Sequence, residues 1–294
     1  MNFIELLLLA AIWGASFLFL RIAAPEFGPF ALIALRVGIA ALVLAPVLRS
    51  AAARSQCRSK AWPLFVVGIS NSAIPFGLFA YSTLYVNAGI DSILNATTPI
   101  WAALIAALWF GQAMNRSQVC GLMLGLAGVA VLVWDTAGGG VAGMPLAIGA
   151  ALLAAVCYGF AVNYSKRRLA GVPPLVVAFG SQLAASAVLL PPALLSWPQQ
   201  AIAPSIWLCV AALGVICTGF AYILYFRLIE RVGAAYAASV TFLIPVFGLV
   251  WGAVFLNEKI TLAMLAGCAI TLLGTGLASG KLSGLLPGKH KKLA

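Results

Sequence analysis

The sequence predicts an all-α integral membrane protein with ten transmembrane helices, arranged as two inverted repeats of five helices each. Three observations predict this fold class. Hydrophobic residues make up 64% of the 294 residues and charged residues only 8%, whereas a water-soluble domain carries roughly 25% charged residues. About ten apolar runs are long enough to cross a bilayer. Finally, the segment 99–128 recurs loosely as 245–274.

Each predicted span is an apolar run of about 20 residues, the length at which a helix crosses the hydrocarbon core. Turn residues or charges separate consecutive runs. The first run contains Glu5 and lacks a basic start and a small-residue cleavage site, so we interpret it as a retained helix rather than a signal peptide. In order, the spans are 3–24, 29–49, 62–84, 90–110, 117–134, 145–166, 172–195, 204–227, 234–255 and 261–279.

Basic residues near the span ends predict the orientation, because Lys and Arg concentrate on the cytoplasmic side. With the N-terminus inside, 14 of the 17 Lys and Arg residues fall on the inner side. Only Arg21 and Lys259 fall outside, and Arg36 lies within a span. We therefore expect a multi-pass protein of a bacterial-type inner membrane with both termini in the cytoplasm.

The internal repeat predicts the domain organisation. Its matching positions lie 146 residues apart: Pro99, Ala107, Gly121, Leu126 and Gly128 recur as Pro245, Ala253, Gly267, Leu272 and Gly274. The glycine-rich stretch 135–143 divides the chain, so we expect one repeat over 1–137, a second over 138–280, and a basic tail over 281–294. Duplication of an odd number of spans inverts the second copy, and inverted repeats are typical of alternating-access carriers.

Several classes of function are disfavoured by composition. The net charge of +11 is spread between apolar runs rather than over one face, which argues against a nucleic-acid partner. The six cysteines form no CxxC pair, and the single histidine is His290 in the tail, so we expect neither a metal site nor a cofactor. The sequence also lacks a catalytic constellation of the usual kinds, so we expect no enzymatic activity.

Polar side chains within spans point to a site, because they are costly in hydrocarbon and normally face the bundle interior or a cavity. In the fourth span, Asp91, Asn95 and Thr98 follow one helical face, beside Trp101 and just before Pro99. Pro99 and its copy Pro245 are predicted hinges, since proline bends or breaks a helix. The alternative is that Asn95 and Thr98 only bridge neighbouring helices.

The remaining predicted substrate-binding residues lie in spans one, three, six, eight and nine: Trp13, Ser16, Tyr81, Ser82, Tyr158, Asn163, Tyr222 and Ser239. For their aromatic members the alternative role is anchoring at the membrane interface. Arg36 has two interpretations, a structural one in which it caps carbonyls and a functional one in gating or carboxylate contact. Glycines in spans five and ten form small-residue faces that either join the two halves or form a dimer contact. We expect a monomer, with a homodimer as the alternative.

These features resemble the drug/metabolite transporter superfamily, and more narrowly the two EamA repeats of its ten-helix members. The resemblance is carried by Trp13-Gly14 early in the first helix, by Pro99 with its helix ending Phe110-Gly111-Gln112, and by the copy ending Leu256-Asn257-Glu258. Usual members end the fourth helix of each half in Gly-Glu, and in this chain Gln112 replaces the first glutamate. The resemblance implies a secondary transporter with a central cavity walled by helices one, three, four, six, eight and nine.

An aromatic, hydroxyl-rich cavity with almost no fixed charge favours a zwitterionic or neutral solute. The leading hypothesis is therefore export of amino acids, including aromatic and apolar ones, which the resemblance also implies for several members. Efflux of drugs or other metabolites is the runner-up, and a membrane-embedded enzyme or a channel is the alternative of another class. Facilitated diffusion and proton antiport through Asp91 or Glu5 both stay open, because no carboxylate lies centrally in a span.

Overall fold

The computed structural model describes residues 2–137 and 143–281. The regular secondary structure of this part of the chain is helical, without a β-strand. Residues 138–142 of the predicted repeat junction (135–143) and most of the basic tail, 282–294, lie outside the described residues. The helices are α1 (Asn2–Leu44), α2 (Ala51–Ser59), α3 (Ala61–Gly68), α4 (Ile74–Ser82), α5 (Ala88–Asn95), α6 (Thr98–Phe110), α7 (Arg116–Ala137), α8 (Met144–Arg168), α9 (Pro174–Leu195), α10 (Pro204–Ala211), α11 (Ala221–Val232), α12 (Ala234–Ala237), α13 (Val240–Leu256) and α14 (Leu262–Ala278).

By length and composition, seven helical segments within the described ranges can cross a membrane, and α13 and α14 are shorter apolar helices. The longest segment, Asn2–Arg49, holds the first two predicted spans. It changes direction at Gly28, where φ is 72° and ψ is 159°. Only glycine adopts that backbone conformation readily, and Pro25 and Pro29 flank it. Counting this segment twice gives the ten predicted spans.

Several spans are broken, and the breaks fall near the predicted hinges. Span four divides into α5 and α6, with Pro99 in the first turn of α6, a position that needs no backbone donor. Span nine divides into α12 and α13, and Pro245 lies inside α13 rather than at the break. The two prolines therefore differ in their local roles although the repeat makes them equivalent.

Spans three and eight each contain a π-helical segment at equivalent positions. The first, Ile69–Ala73, separates α3 from α4, and the second, Ala212–Phe220, separates α10 from α11. A shift of 146 residues places the first segment inside the second. π-Helical turns are rare and often mark functional sites, because they change which face of the helix the following residues occupy.

The packing of α7 against α14 confirms that the repeats run in opposite directions. A Cβ atom built on Gly128 would lie 2.6 Å from the Thr271 nitrogen and 2.9 Å from the Gly267 oxygen, and Gly274 approaches Gly125 equally closely. Residue numbers thus rise along α7 as they fall along α14, so these two equivalent helices are antiparallel. Glycines permit this close backbone approach.

A second pair of equivalent glycines lies at contacts between the two repeats. Gly14 in α1 packs against Phe247 in α13, and Gly159 in α8 packs against Trp101 and Ala102 in α6. Each glycine belongs to one repeat and its neighbours to the other. The main hydrophobic core follows this arrangement, since it joins α1, α4, α5, α8 and α9. A site at the centre of the bundle is consequently built from both repeats.

Candidate substrate cavity

A cavity of about 280 Å³ lies between the two repeats. Its wall comes from the helices that the resemblance implies, together with Arg36 from the second half of α1. The lining residues are Trp13, Ser16, Phe17, Leu20, Arg36, Asn71, Phe76, Phe79, Asn95, Thr98, Tyr158, Val162, Cys217, Thr218, Tyr222, Tyr225, Val240, Thr241 and Ile244.

Most of these residues line the cavity as repeat-equivalent pairs, 145 or 146 positions apart. The cavity therefore lies at the interface where equivalent helices of the two repeats meet, which is the usual place of a carrier's binding site. The pairs are Trp13 with Tyr158, Phe17 with Val162, Asn71 with Cys217, Phe76 with Tyr222, Phe79 with Tyr225, Asn95 with Thr241, and Thr98 with Ile244.

The two halves of the wall differ in chemistry although their positions correspond. Where the first repeat contributes Phe76 and Phe79, the second contributes Tyr222 and Tyr225. Tyrosine adds a hydroxyl that both donates and accepts hydrogen bonds, whereas phenylalanine offers only an apolar ring. At these two positions the second repeat thus adds hydroxyls to the wall where the first repeat has apolar rings.

Polar contacts link the second half of α1 to the π-helical segment of span eight, and the π-helical segment of span three to α11. Arg36 Nε donates to Thr218 Oγ1 at 2.9 Å, and Asn71 Nδ2 donates to the Tyr222 hydroxyl at 3.2 Å. The Arg36 guanidinium carbon lies 3.8 Å from the ring centroid of Phe76, close enough for a cation–π contact. This network therefore holds a positive charge beside the cavity.

Aromatic contacts stiffen the wall. The ring centroids of Trp13 and Tyr225 are 5.2 Å apart, and those of Phe79 and Tyr158 are 6.2 Å apart. Phe17 meets Phe79 edge-on at 5.4 Å. Such pairs contribute about 0.5–1.5 kcal/mol each beyond burial. The contacts of Trp13 with Tyr225 and of Phe79 with Tyr158 each join one repeat to the other. The cavity wall therefore also connects the two halves.

The structure brings six of the predicted substrate-binding residues to the cavity: Trp13, Ser16, Asn95, Thr98, Tyr158 and Tyr222. It places the other five elsewhere. Tyr81 packs on Tyr85, Ser82 donates to Asp91, Trp101 donates to Thr97, Asn163 donates to the carbonyl of Ala102, and Ser239 donates to the carbonyl of Tyr236. None of these five side chains lines the cavity, so we leave them out of the proposed site.

Sequence reasoning missed Phe76, Phe79 and Tyr225 as site residues, and it left the role of Arg36 open. The repeat offset itself contains the missing signal, because Phe76 is the equivalent of the predicted Tyr222, as Thr241 is of Asn95. Asp91, predicted to share a face with Asn95 and Thr98, instead accepts a hydrogen bond from Ser82 at 2.6 Å. Asp91 and Asn95 lie one turn apart in the same helix, α5, but only Asn95 and Thr98 line the cavity, so a shared helical face did not determine which side chains reach it.

One end of the bundle, which we call the Glu258 end, is closed. Glu258 Oε1 accepts a hydrogen bond from the Ala88 backbone nitrogen at 3.1 Å and lies 4.0 Å from Arg21 Nε. Arg21 also donates to the carbonyl of Thr83. A Cβ atom built on Gly248 would lie 2.5 Å from Ser92 Cβ. These contacts pack α5 closely against α13, and we describe this end as closed in that sense.

The opposite end, which we call the Glu5 end, is built differently. Glu5 Oε1 accepts from Arg227 Nη2 at 2.6 Å and from Arg231 Nη1 at 2.9 Å, which ties α1 to α11. The repeat equivalents of Ser92 and Gly248 are Ala238 and Ala102. Among the described residues, α12 and α6 show no packing comparable to that of α5 and α13. The described structure is therefore asymmetric, closed at the Glu258 end only.

Fold, cavity and composition together define a multi-pass membrane protein built around a cavity between two inverted repeats. The chain belongs to the EamA-like transporter family, whose sequence profile matches residues 3–134 and again 145–280. A solved crystal structure matches with a TM-score of 0.62, covering 97% of this chain and 99% of the other at 24% sequence identity, which supports the fold alone. Several relatives of this chain are transporters or exporters by name.

Three relatives illustrate the range of this family. An uncharacterised transporter of Bacillus subtilis, YvbV, is 29% identical, with 93% of this chain and 90% of the relative covered. A probable terminal-alkyne amino-acid exporter of Streptantibioticus cattleyicolor is 27% identical, with 95% and 93% covered. The aromatic amino acid exporter YddG of Ancylobacter novellus is 35% identical over 175 residues, with 55% and 56% covered.

Proposed function

We propose that this protein exports amino acids, including aromatic and apolar ones, through the cavity between its repeats. The observation that carries the proposal is the mixed lining of the cavity, which offers the apolar rings of Phe76 and Phe79 together with the hydroxyls of Tyr222 and Tyr225. Aromatic rings can take an apolar side chain while amide and hydroxyl groups pair with the polar part of a solute. Two of the relatives are amino-acid exporters by name.

The size of the cavity supports a small solute. At about 280 Å³ it is near the lower limit of the roughly 300–1,000 Å³ that is typical of ligand pockets. A bulky drug would need the wall to open further, whereas an amino acid would leave the aromatic contacts intact. Efflux of cationic drugs is the competing function, and it is less well supported because the charge beside the cavity is the positive one of Arg36.

The asymmetry of the two ends supports transport by alternating access. In this proposal the repeats exchange roles, so that the Glu5 end closes when the Glu258 end opens. The distribution of basic residues supports an orientation in which the Glu5 end and both termini lie in the cytoplasm, in a bacterial-type inner membrane. The described structure then corresponds to a state closed towards the outside. Pro99 and Pro245 mark the helices that move in this proposal, and the protein acts as a monomer.

The test is counterflow of labelled solutes in proteoliposomes that contain the purified protein. We expect uptake of labelled phenylalanine, and we expect unlabelled tryptophan but not a cationic drug to compete with it. Trp13→Ala should reduce uptake at least 10-fold, because Trp13 lines the cavity. Trp134→Ala is the matched control, since that side chain is 86% exposed and outside the cavity. Competition by cationic drugs alone would overturn the proposal.

A further inference from the structure

The most unusual side chain at the cavity is Arg36. It is 5% exposed, yet it lines the cavity between the repeats. Its Nε donates to Thr218, whereas Nη1 and Nη2 make no hydrogen bond to the described residues. A guanidinium carries five N–H donors in a planar fork, which suits a carboxylate held by two parallel hydrogen bonds. Donors are therefore left over at the place where a solute would bind.

Arg36 has no acidic partner among the described residues. The ion pairs of this part of the chain join Glu5 to Arg227 and Arg231, and Glu258 to Arg21. A charge buried within a membrane protein is costly and normally pairs with an opposite charge or marks a substrate pathway. A solute that brings its own negative charge would supply the missing partner.

The other repeat indicates that packing alone does not require this charge. Gln182 is the repeat equivalent of Arg36, and Ser72 is the equivalent of Thr218. Gln182 Nε2 donates to Ser72 Oγ at 2.8 Å, so at this equivalent position a neutral amide makes the same hydrogen bond between the two repeats. Gln182 does not line the cavity. The difference between the two positions is thus a positive charge, and it is found on the side that faces the cavity.

We infer that the Arg36 guanidinium is the carboxylate anchor of this carrier, and that its substrates are solutes with a carboxylate attached to a small apolar or aromatic group. This inference rests on the proposed function and narrows it. Phe76 lies against one face of the guanidinium and Thr218 fixes Nε, so the fork has one orientation. An amine that lacks a carboxylate meets a like charge there and is rejected.

The test compares matched pairs of ligands that differ in the carboxylate only. These are phenylalanine with phenylalanine amide, and 3-phenylpropionate with 3-phenylpropionamide. Their binding to the purified protein in detergent is measured by thermal stabilisation, which does not depend on transport. For the wild type we expect each carboxylate to bind at least 10-fold more tightly than its amide. Arg36→Gln, which copies the residue at Gln182, should remove this preference.

Two further variants keep the test decisive. Arg36→Lys retains the charge without the fork, so we expect it to keep the preference for carboxylates with weaker binding. It also replaces Arg36→Gln as the informative variant if the latter does not fold. Gln182→Ala removes the hydrogen bond to Ser72, which is equivalent to that between Arg36 and Thr218. This variant should leave the preference for carboxylates unchanged, because Gln182 lies outside the cavity.

The outcomes separate this inference from the proposed function. If 3-phenylpropionate is preferred over its amide through Arg36 but no amino acid is transported, the anchor stands and amino-acid export is wrong. If phenylalanine is transported but Arg36→Gln keeps the full preference for carboxylates, export stands and the anchor is wrong. A wild type that binds acids and amides equally also overturns the anchor, and Arg36 then has a structural role only.

Discussion

Glu258 accepts a hydrogen bond from the backbone nitrogen of Ala88, with 3.1 Å between Oε1 and the nitrogen. Ala88 is the first residue of α5, and the first turn of a helix has backbone donors without intrahelical partners. A carboxylate satisfies one of them and interacts favourably with the helix dipole. Because Glu258 follows α13, this bond connects the two halves of the protein at the end that is closed.

We expect Glu258→Ala to weaken the closure of this end. The change leaves the Ala88 donor unpaired and removes the acidic neighbour of Arg21, and a lost hydrogen bond to a charged group costs about 1.5–3 kcal/mol. The measurement is maleimide labelling of Ser82→Cys, a fully buried position near Asp91, after replacement of the six native cysteines. Labelling should become at least several-fold faster, while Glu258→Gln, which retains an acceptor oxygen, should lie in between. An unchanged rate in Glu258→Ala would show that this bond does not control closure.

The repeat equivalence predicts how the second state is built. Gly248 packs on Ser92 at the closed end, and their equivalents are Ala102 and Ala238. Gly248→Leu should block the present closure and speed labelling of the Ser82→Cys reporter, because a larger side chain cannot fit against Ser92. Ala102→Leu should block the opposite closure, and labelling should then be no faster than in the reporter alone. Equal effects of the two variants would contradict the exchange of roles.

The glycines at the contacts between repeats should tolerate no side chain. A Cβ atom at Gly14 would lie 2.6 Å from Phe247 Cβ, and one at Gly159 would lie 2.7 Å from the Ala102 nitrogen. Overpacking of this kind costs about 1–3 kcal/mol, so Gly14→Ala and Gly159→Ala should both lower the melting temperature in detergent by several degrees.

Two other glycines serve as controls for this prediction. Gly77 and Gly149 also lie within helices, but a Cβ atom at either position would meet nothing within 4 Å. Alanine at these positions should leave the melting temperature unchanged or raise it slightly, because alanine favours helix by about 1 kcal/mol relative to glycine. If all four variants behaved alike, close packing would not be the cause.

The Glu5 cluster should hold the start of α1 against α11. Glu5→Ala leaves Arg227 and Arg231 without their shared acceptor. Both arginine side chains are about half exposed, so solvent screening keeps the loss of stability small. We expect a drop of a few degrees in melting temperature that high salt diminishes. Glu230→Ala is the control, since Glu230 is exposed and in none of the ion pairs of the described residues, and it should have no effect.

The Tyr222 hydroxyl should contribute to the affinity of the cavity for polar solutes. Tyr222→Phe removes the hydroxyl that accepts from Asn71 and makes the position identical to its equivalent, Phe76. We expect the KM for phenylalanine to rise about 5- to 10-fold, as for the loss of one hydrogen bond, with little change in the maximal rate. Val246→Ala, at a side chain that is 47% exposed and outside the cavity, is the control. A fall in rate at constant KM would contradict a binding role.

Much of this protein follows from its sequence alone. Composition places the chain in a membrane, because so few charged residues cannot cover a water-soluble surface. The apolar runs set the number of spans, since each helix must satisfy its own backbone in lipid. The offset of 146 residues predicts the inverted repeat, and Trp13 and Tyr158 were both predicted from the sequence as substrate-binding residues.

Tertiary structure alone decided which side chains face the cavity. Trp101 and Asn163 lie in the same spans as Thr98 and Tyr158, yet they bond to Thr97 and to the carbonyl of Ala102. Each of these pairs shares one unbroken helix, so periodicity alone does not determine which position reaches the cavity. The packing of α6 against α8 determines it, because Asn163 bonds across that contact to Ala102. In spans three and eight the π-helical segments add a second reason, since they change which helical face the following residues occupy.

Arg36 illustrates the same division. The sequence shows a lone base within a span, but its cost in hydrocarbon is equally consistent with capping a helix and with contacting a solute. Only the packing of α1 against the π-helical segment of span eight places it on Thr218, beside the cavity and away from every acid of the described chain. The sequence thus shows that a charge lies within a span, whereas the fold determines which groups contact it.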